Sequence, residues 1–253
     1  MSETDGERAK TAGRRELLPI AALGMAAAGA LGFIWLADAV GEGSTHALDT
    51  HLLLALREPG DPGNPIGPAW LEETARDITA LGSNGVLALA VVTGCLFLFL
   101  SHRPRTAVLL LLASGGGLLL VGMLKELFER ARPDLVPHAA RVFTSSFPSS
   151  HAVMSAIVYL TLGALLARAQ PDRRLKIFFA LLAVTLTLLV GSSRVYLGVH
   201  WPTDVLAGWC IGTAWAAAFW ALAGWLQWRR ARDGAREVTG ERAREDDDRS
   251  LHS

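Results

Sequence analysis

The sequence has few cysteines and no excess of either charge. Of its 253 residues only Cys95 and Cys210 are cysteines. Both fall inside long apolar segments, where we expect neither a disulfide nor a metal site. The 24 basic residues equal the 24 acidic ones in number, and no carboxylates cluster with the spacing of metal ligands. We therefore predict no metal, no cofactor and no nucleic-acid partner.

Apolar residues, in contrast, are abundant. They make up 51% of the chain, and the mean hydropathy is +0.32. Six mostly apolar segments are each long enough to cross a hydrocarbon core of roughly 30 Å as a helix: about 17–37, 80–100, 106–124, 152–169, 175–192 and 203–226. The connections are too short for a separate soluble domain. We predict an all-α, polytopic membrane protein with a six-helix domain at 17–228, an N-terminal tail at 1–16 and a charged, disordered tail at 229–253.

The first apolar segment also has features of a signal peptide. Arg14 and Arg15 precede it, and Ala37-Asp38-Ala39 has the small-residue pattern of a cleavage site. The apolar run is about 20 residues long, however, and signal peptides usually have runs of roughly 7–15 residues. We therefore predict that this segment is retained as the first span.

Three short polar clusters lie next to apolar segments. They contribute three cations, two histidines and one carboxylate, in the patterns Lys125-x6-Arg132-Pro133, Pro148-Ser149-Ser150-His151 and Ser193-Arg194-x5-His200-x3-Asp204. Cations that keep their charge suit the oxygens of a phosphate, and two imidazoles can divide nucleophilic attack from protonation of a leaving oxygen. The clusters predict a metal-free phosphatase site in which the cations neutralise the phosphoryl charge.

The order and spacing of these clusters resemble the tripartite signature of the type 2 phosphatidic acid phosphatases, the membrane branch of a superfamily that also contains vanadium haloperoxidases. That signature is Lys-x6-Arg-Pro, Pro-Ser-Gly-His and Ser-Arg-x5-His-x3-Asp, and the chain departs from it at Ser150, where the family has Gly. The hydrophobic architecture extends the similarity from about Leu17 to Trp228. The resemblance implies an integral-membrane lipid phosphatase, most similar to bacterial members.

The two histidines are predicted to have different roles. His200 lies four residues before Asp204, and an imidazole that donates Nδ1–H to a carboxylate keeps Nε2 free as a nucleophile. We predict that His200 attacks phosphorus and that Asp204 orients it, roles that the resemblance also implies. We assign His151 as the acid that protonates the leaving oxygen.

Five further residues are predicted to bind the phosphate: Lys125, Arg132, Ser149, Ser150 and Arg194. Arginine matches paired phosphate oxygens, and lysine acts as a mobile point charge. Ser149 is expected to cap the fourth span, whose first N–H groups attract anions. Ser150 either adds a hydroxyl contact or narrows the pocket. Their polar neighbours are interpreted as surface or supporting groups: Glu126, Glu129, Arg130, His138 and Arg141.

The longest connection, 41–79, lies on the same side as the three clusters. Prolines divide it into two amphipathic pieces, His46–Leu56 and Trp70–Ile78, which we expect to form helices at the membrane interface. Two interpretations are open: these helices guide a lipid headgroup to the site, or they only connect two spans along the surface.

The distribution of Lys and Arg predicts the orientation. With six spans, the side of the clusters carries seven of the 24 basic residues, and the other 17 lie on the side of both termini. Because basic residues concentrate on the cytoplasmic side, we predict cytoplasmic termini. The site then faces the periplasm or the cell exterior, in the inner (plasma) membrane.

Other functions are weighed against a lipid phosphatase. A lipid phosphotransferase would use the same residues. A transporter is less favoured, because transporter charges lie near the membrane midplane and these lie at the ends of spans. A haloperoxidase is opposed by the six spans. Undecaprenyl pyrophosphate is the favoured lipid substrate, with phosphatidic acid or phosphatidylglycerophosphate as alternatives, and no oligomeric state is predicted.

Overall fold

The computed structural model describes residues 3–134 and 145–251. Within these ranges the chain forms eight helices and one two-stranded antiparallel sheet. The helices are α1 Glu3–Gly41, α2 His46–Leu54, α3 Ala69–Ala80, α4 Asn84–Leu100, α5 Pro104–Leu127, α6 Ser150–Ala169, α7 Arg173–Tyr196 and α8 Pro202–Leu251. The strands are β1 Arg57–Glu58 and β2 Asp61–Pro65. The predicted all-α fold class is confirmed, with the short hairpin as an addition.

Five of the described helices are each long and apolar enough to cross a membrane. The candidate spans are Pro19–Gly41, Pro104–Leu127, Ser150–Ala169, Arg173–Tyr196 and Pro202–Leu226. The second predicted span, 80–100, corresponds to α4, which follows α3 across a bend of 47°. Ser83 begins α4 as its N-cap and accepts a hydrogen bond from the Val86 N–H at 3.4 Å. At 17 residues α4 is shorter than the five spans, and together with α3 it gives a sixth candidate crossing.

Large apolar side chains cover the outside of the spans. Leu89, Leu119 and Met123, for example, are 67%, 70% and 68% exposed on the isolated protein. Soluble proteins rarely expose contiguous apolar surface of this kind. A bilayer would cover these side chains, in agreement with a multi-span membrane protein.

Helix α6 lies at the centre of the bundle and packs against both α7 and α8, and α1 packs along α8. Two glycines of α8 permit a close approach to α6. A Cβ atom at Gly208 would lie 2.7 Å from the Ala152 Cβ, and one at Gly212 would lie 2.7 Å from the Ala156 Cβ. Small residues at such positions allow membrane helices to approach closely. This contact brings the first turns of α6 and α8 together.

The connection between α1 and α4 contains the two predicted helices, α2 and α3. Between them, Gly60 with a φ of +90° and an Asp61 side chain that accepts from the Gly63 N–H at 3.1 Å shape the hairpin. Arg57 donates to the Tyr196 carbonyl at 2.8 Å. This bond attaches the hairpin to the end of α7.

The C-terminal segment differs from its prediction. The sequence predicts disorder from Arg229 onward, whereas α8 continues as a helix to Leu251. This segment is rich in Ala, Arg and Glu, which have high helix propensity. Opposite charges also recur four positions apart, as at Arg242 and Asp246, a spacing that stabilises helices. The helix can therefore continue without an apolar core of its own.

Candidate active site

All three clusters lie at the same end of the bundle. The first cluster begins in the last turn of α5 with Lys125 and continues into the segment that follows. The second leads into the first turn of α6. The third begins at the end of α7 with Arg194 and ends in the first turn of α8 with Asp204. Four chain segments thus converge on one buried site.

His200 and Asp204 are both buried, with 2% and 0% exposure. The His200 Nδ1 lies 3.4 Å from the Asp204 Oδ2. The same carboxylate oxygen accepts the Trp201 N–H at 3.0 Å and the Ser146 hydroxyl, whose oxygen lies 3.3 Å from the His200 Nδ1. The predicted pairing of His200 with Asp204 therefore has a geometric basis, with Ser146 as an additional member.

The contact on the other ring nitrogen identifies the tautomer of His200. A guanidinium NH1 of Arg132 lies 3.2 Å from the His200 Nε2 and also donates to the Val199 carbonyl at 2.9 Å. A guanidinium can only donate hydrogen bonds, so Nε2 must accept and the ring proton belongs on Nδ1. This is the tautomer that carries a lone pair instead of a proton on Nε2.

Burial also keeps the His200 ring neutral. Burial lowers the pKa of His200 to about 4; Asp204 opposes this shift, and the nearby Arg132 and Arg194 add to it. Burial likewise lowers the pKa of Arg132, with Asp204 opposing the shift. His200 is therefore unprotonated near pH 7, as a nucleophile must be.

The predicted cations surround the two histidines. Lys125 Nζ donates to the Ser145 carbonyl at 2.7 Å, and Arg194 NH1 donates to the Thr79 hydroxyl at 3.0 Å. His151, on the first turn of α6, is within electrostatic range of Lys125, Arg194, Arg132 and His200. The structure thus brings Lys125, Arg132 and Arg194 close to His151 at this end of the bundle.

Two buried polar atoms at this site have no hydrogen-bond partner among the described residues: the Arg194 Nε and the Ser149 hydroxyl. Ser149 is the N-cap of α6, as predicted, but its side chain makes no capping bond. Ser150 is the first residue of the helix and is half-buried. An orphaned donor and hydroxyl beside free helix N–H groups are suited to phosphate oxygens.

Sequence reasoning underestimated Arg130 and did not identify Asp49. Arg130, interpreted as a surface or supporting group, donates to the Asp204 Oδ1 at 2.5 Å and to the Asp49 Oδ2 at 2.6 Å. Asp49 is fully buried although it lies on the short helix α2. One available signal was its spacing of four from Leu53, which places a carboxylate on the apolar face of that helix. Glu126 and Glu129 are exposed, and His138 and Arg141 lie outside the described residues.

In residues 3–134 and 145–251, no group of three or more His, Cys, Asp and Glu side chains is arranged to hold a metal ion. The chemistry available on this part of the chain is a neutral histidine oriented by a carboxylate, a second histidine and three cations. Such a set can transfer a phosphoryl group through a covalent intermediate.

Comparison with known proteins identifies the family. The chain is 38% identical over 146 residues to phosphatidylglycerophosphatase B of Bacillus subtilis. The matched region covers 56% of this chain and 70% of the relative. The profile of the PAP2 superfamily matches residues 106–228. The chain belongs to the PAP2 superfamily. It is a membrane lipid phosphatase of the PAP2 type, and the resemblance inferred from the three clusters is confirmed.

Two further similar proteins are also named as phosphatases. Decaprenylphosphoryl-5-phosphoribose phosphatase of Mycobacterium tuberculosis is 32% identical over 167 residues, which cover 63% of this chain and 84% of that one. A crystal structure of a transmembrane PAP2-type phosphatidylglycerolphosphate phosphatase from Bacillus subtilis is similar with a TM-score of 0.71 and 31% identity, over 78% of this chain and 95% of that one. The PAP2 profile begins at residue 106, so α2 with Asp49 lies outside the matched region.

Proposed function

We propose that this PAP2 protein hydrolyses a lipid phosphate or diphosphate through a phosphohistidine on His200. The observation that carries the proposal is the pair of contacts on the His200 ring. The Asp204 carboxylate faces Nδ1 and the Arg132 guanidinium faces Nε2, which together leave Nε2 unprotonated and oriented toward the cations.

In the first step, the Nε2 lone pair attacks phosphorus and forms an N–P bond as the bond from phosphorus to the leaving oxygen breaks. His151 donates a proton to that oxygen, which leaves as a lipid alcohol or, from a diphosphate, as a lipid monophosphate. In the second step, a water molecule attacks phosphorus while His151 accepts its proton. The N–P bond breaks, inorganic phosphate is released and His200 returns to its neutral form.

The three cations stabilise the charge that develops on the phosphoryl oxygens. Arg132 and Arg194 present planar donors, and Lys125 adds a point charge. The Ser149 hydroxyl and the first N–H groups of α6 complete the cradle. Because these groups supply the electrostatic stabilisation themselves, we propose a reaction that requires no metal.

Undecaprenyl pyrophosphate is the substrate that we favour, because the site lies at the ends of membrane spans and two curated relatives are named undecaprenyl-diphosphatases. Phosphatidylglycerophosphate is the second candidate, since the relative that is 38% identical is a phosphatidylglycerophosphatase. Phosphatidic acid remains a third. A phosphotransferase would use the same first step, with a lipid alcohol in place of water in the second.

A direct test measures phosphate release from a panel of lipid phosphates by purified protein in nanodiscs with excess chelator. We expect the highest kcat/KM for undecaprenyl pyrophosphate, full activity without divalent ions, and inhibition by vanadate, which mimics five-coordinate phosphorus. Activity that disappears with the chelator and returns with a divalent ion would contradict the metal-free mechanism. Transfer of labelled phosphate to an added lipid alcohol, without release of free phosphate, would identify a phosphotransferase.

A further inference from the structure

The Asp204 carboxylate divides its two oxygens between different partners. Oδ2 faces the His200 Nδ1 and accepts from Ser146 and from the Trp201 N–H. Oδ1 instead accepts a hydrogen bond from the NH1 group of Arg130 at 2.5 Å. The carboxylate is therefore held from both sides, and neither Ser146 nor Arg130 is one of the specified residues of the three motifs.

Arg130 is held in turn by Asp49 of helix α2. NH2 of Arg130 lies 2.6 Å from the Asp49 Oδ2, and the side chains of Arg130 and Asp49 are 14% and 0% exposed. The two ends of the Arg130 fork thus contact two different buried carboxylates. A rigid planar guanidinium can hold two carboxylates in a defined relative position, which a flexible lysine cannot do equally well.

Asp49 also binds the first turn of α8 directly. Its Oδ1 accepts the Thr203 N–H at 2.9 Å, and its Oδ2 accepts the Thr203 hydroxyl at 2.6 Å. Thr203 is the residue before Asp204, so the same carboxylate holds both the backbone and the cation beside Asp204. A second contact comes from His46 of α2, whose ring lies 5.5 Å from the ring of Trp201.

This chain of charges would be costly if it served only to stabilise the fold. Burying ions requires desolvation that the attraction between them often does no more than offset. Hydrophobic side chains could join α2 to α8 without that penalty. The buried charges are explained if the orientation of Asp204 is what they maintain.

We propose that Asp49 and Arg130 are positioning residues for the phosphatase reaction, which hold Asp204 so that its Oδ2 faces His200. The proposal rests on the function proposed above, in which His200 is the nucleophile. Under this proposal α2 orients His200 through Asp204, at the start of α8. Helix α2 lies outside the region matched by the PAP2 profile.

Two single variants and one double variant test the proposal. Asp49→Asn keeps an acceptor for Thr203 but removes the charge that holds Arg130, and Arg130→Gln removes the cation. We expect kcat to fall by about 10–100-fold in each, the range found when outer-shell partners of metal ligands are removed, with KM within about twofold of wild type. The double variant Asp49→Asn/Arg130→Gln leaves neither partner buried without the other, so it should fold normally and still have a low kcat.

The pH profile provides a readout that a purely structural role would not move. His200 is faced by Asp204, Arg132, Arg194 and His151, all unchanged in these variants. Without the Arg130 cation, the negative charge of Asp204 stabilises protonated His200 more strongly and raises its pKa. The acidic limb of kcat/KM should therefore move to higher pH in Arg130→Gln. Arg130→Lys, which keeps the charge, should leave the limb near its wild-type position and recover part of kcat.

The matched control is Glu72→Gln/Arg76→Gln, which removes an exposed ion pair on the neighbouring helix α3 and should change neither kcat nor the limb. Wild-type kcat and limb in the double variant would overturn the positioning role. So would a loss of activity that only parallels the loss of folded protein. If His200→Ala itself kept full turnover, the proposed function would fail instead, so the two failures can be distinguished.

Discussion

At the scale of single residues, the two ring nitrogens of His200 have chemically different partners. Nδ1 faces the Asp204 carboxylate, whereas Nε2 faces the guanidinium of Arg132. A bound phosphoryl group offers Arg132 charged oxygen acceptors, which form stronger hydrogen bonds than a neutral imidazole. We infer that substrate draws Arg132 onto its oxygens and thereby releases the Nε2 lone pair for attack.

The first prediction at this scale separates the roles of the two histidines. His200→Ala should abolish both turnover and the alkali-stable, acid-labile label that radioactive substrate leaves on the protein, because acid cleaves the N–P bond of a phosphohistidine. His151→Ala should lose much less activity on an aryl phosphate than on a lipid alkyl phosphate, because an aryl leaving group needs little protonation. Asp204→Asn should be impaired on both substrates. A label that persists in His200→Ala and vanishes in His151→Ala would reverse the assignment.

The second prediction concerns pH. Because the pKa of His200 is lowered to about 4, kcat/KM should rise as pH increases through about 4 and should not show an acidic limb near the ordinary histidine value of about 6.5. The measurement is kcat/KM on an aryl phosphate between about pH 3.5 and pH 8, a range that includes both the lowered pKa of His200 and the ordinary pKa of histidine. The values are corrected for the ionisation of the substrate. A limb near 6.5 would contradict a buried, neutral His200.

The same shift affects stability with a defined sign. The folded protein binds fewer protons to His200 than the unfolded chain does between the folded value of about 4 and the unfolded value of about 6.5. The contribution of His200 to the free energy of unfolding therefore falls as pH decreases through this window and is constant below it. Mild acid should therefore lower the free energy of unfolding before it protonates His200 in the folded protein.

At the scale of elements, the site depends on the close contact between α6 and α8. The first turn of α6 carries Ser149, Ser150 and His151, and the first turn of α8 carries Asp204. The Ser149 N–H donates to the Asp204 carbonyl at 3.0 Å, so the two turns share a backbone hydrogen bond. Any increase in the distance between these helices would separate His151 from Asp204 and from its partner His200.

The corresponding prediction is that Gly208→Ala inactivates the protein. A Cβ at Gly208 would lie 2.7 Å from the Ala152 Cβ and 3.1 Å from the Ser149 carbonyl oxygen. We expect a loss of about 1–3 kcal/mol in stability from overpacking, and a fall in kcat. The matched control is Gly122→Ala, where nothing lies within 4 Å. Equal thermal stability and activity of the two variants would contradict the packing argument.

At the scale of the whole molecule, the distribution of charge supports an orientation for the bundle. The hairpin and α2 lie at the end that holds the site, since Arg57 contacts Tyr196 and Asp49 contacts Thr203. Most of the basic residues, 17 of 24, lie on the side of the termini by the predicted topology. We propose that this basic side is cytoplasmic and that the site therefore acts on lipids of the outer leaflet.

Cysteine labelling in intact cells tests this orientation. With Cys95 and Cys210 replaced by alanine, Pro62→Cys in the hairpin should react with a membrane-impermeant reagent. Ser250→Cys near the C-terminus should react only after the membrane is permeabilised. The reverse pattern would place the site in the cytoplasm and would change the pool of lipids available to it.

The sequence by itself determined the local features of this protein. The length of an apolar segment decides whether a helix can cross a bilayer, and five of the six predicted spans correspond to single helices. The spacing of the third motif also predicted a local contact, because His200 and Asp204 are four positions apart and face each other across one turn. In the remaining span, 80–100, the helix begins only at Asn84, because Ser83 is its N-cap.

Only the tertiary structure decided which distant groups support the site. Asp49 and Thr203 are 154 positions apart in the chain, and a carboxylate on a short amphipathic helix has the same local pattern whether it faces water or a buried arginine. Ser146 was equally invisible, since serine is common in loops. The reason is physical: a hydrogen bond across such a separation depends on how α2, α5 and α8 pack together, which no local spacing encodes.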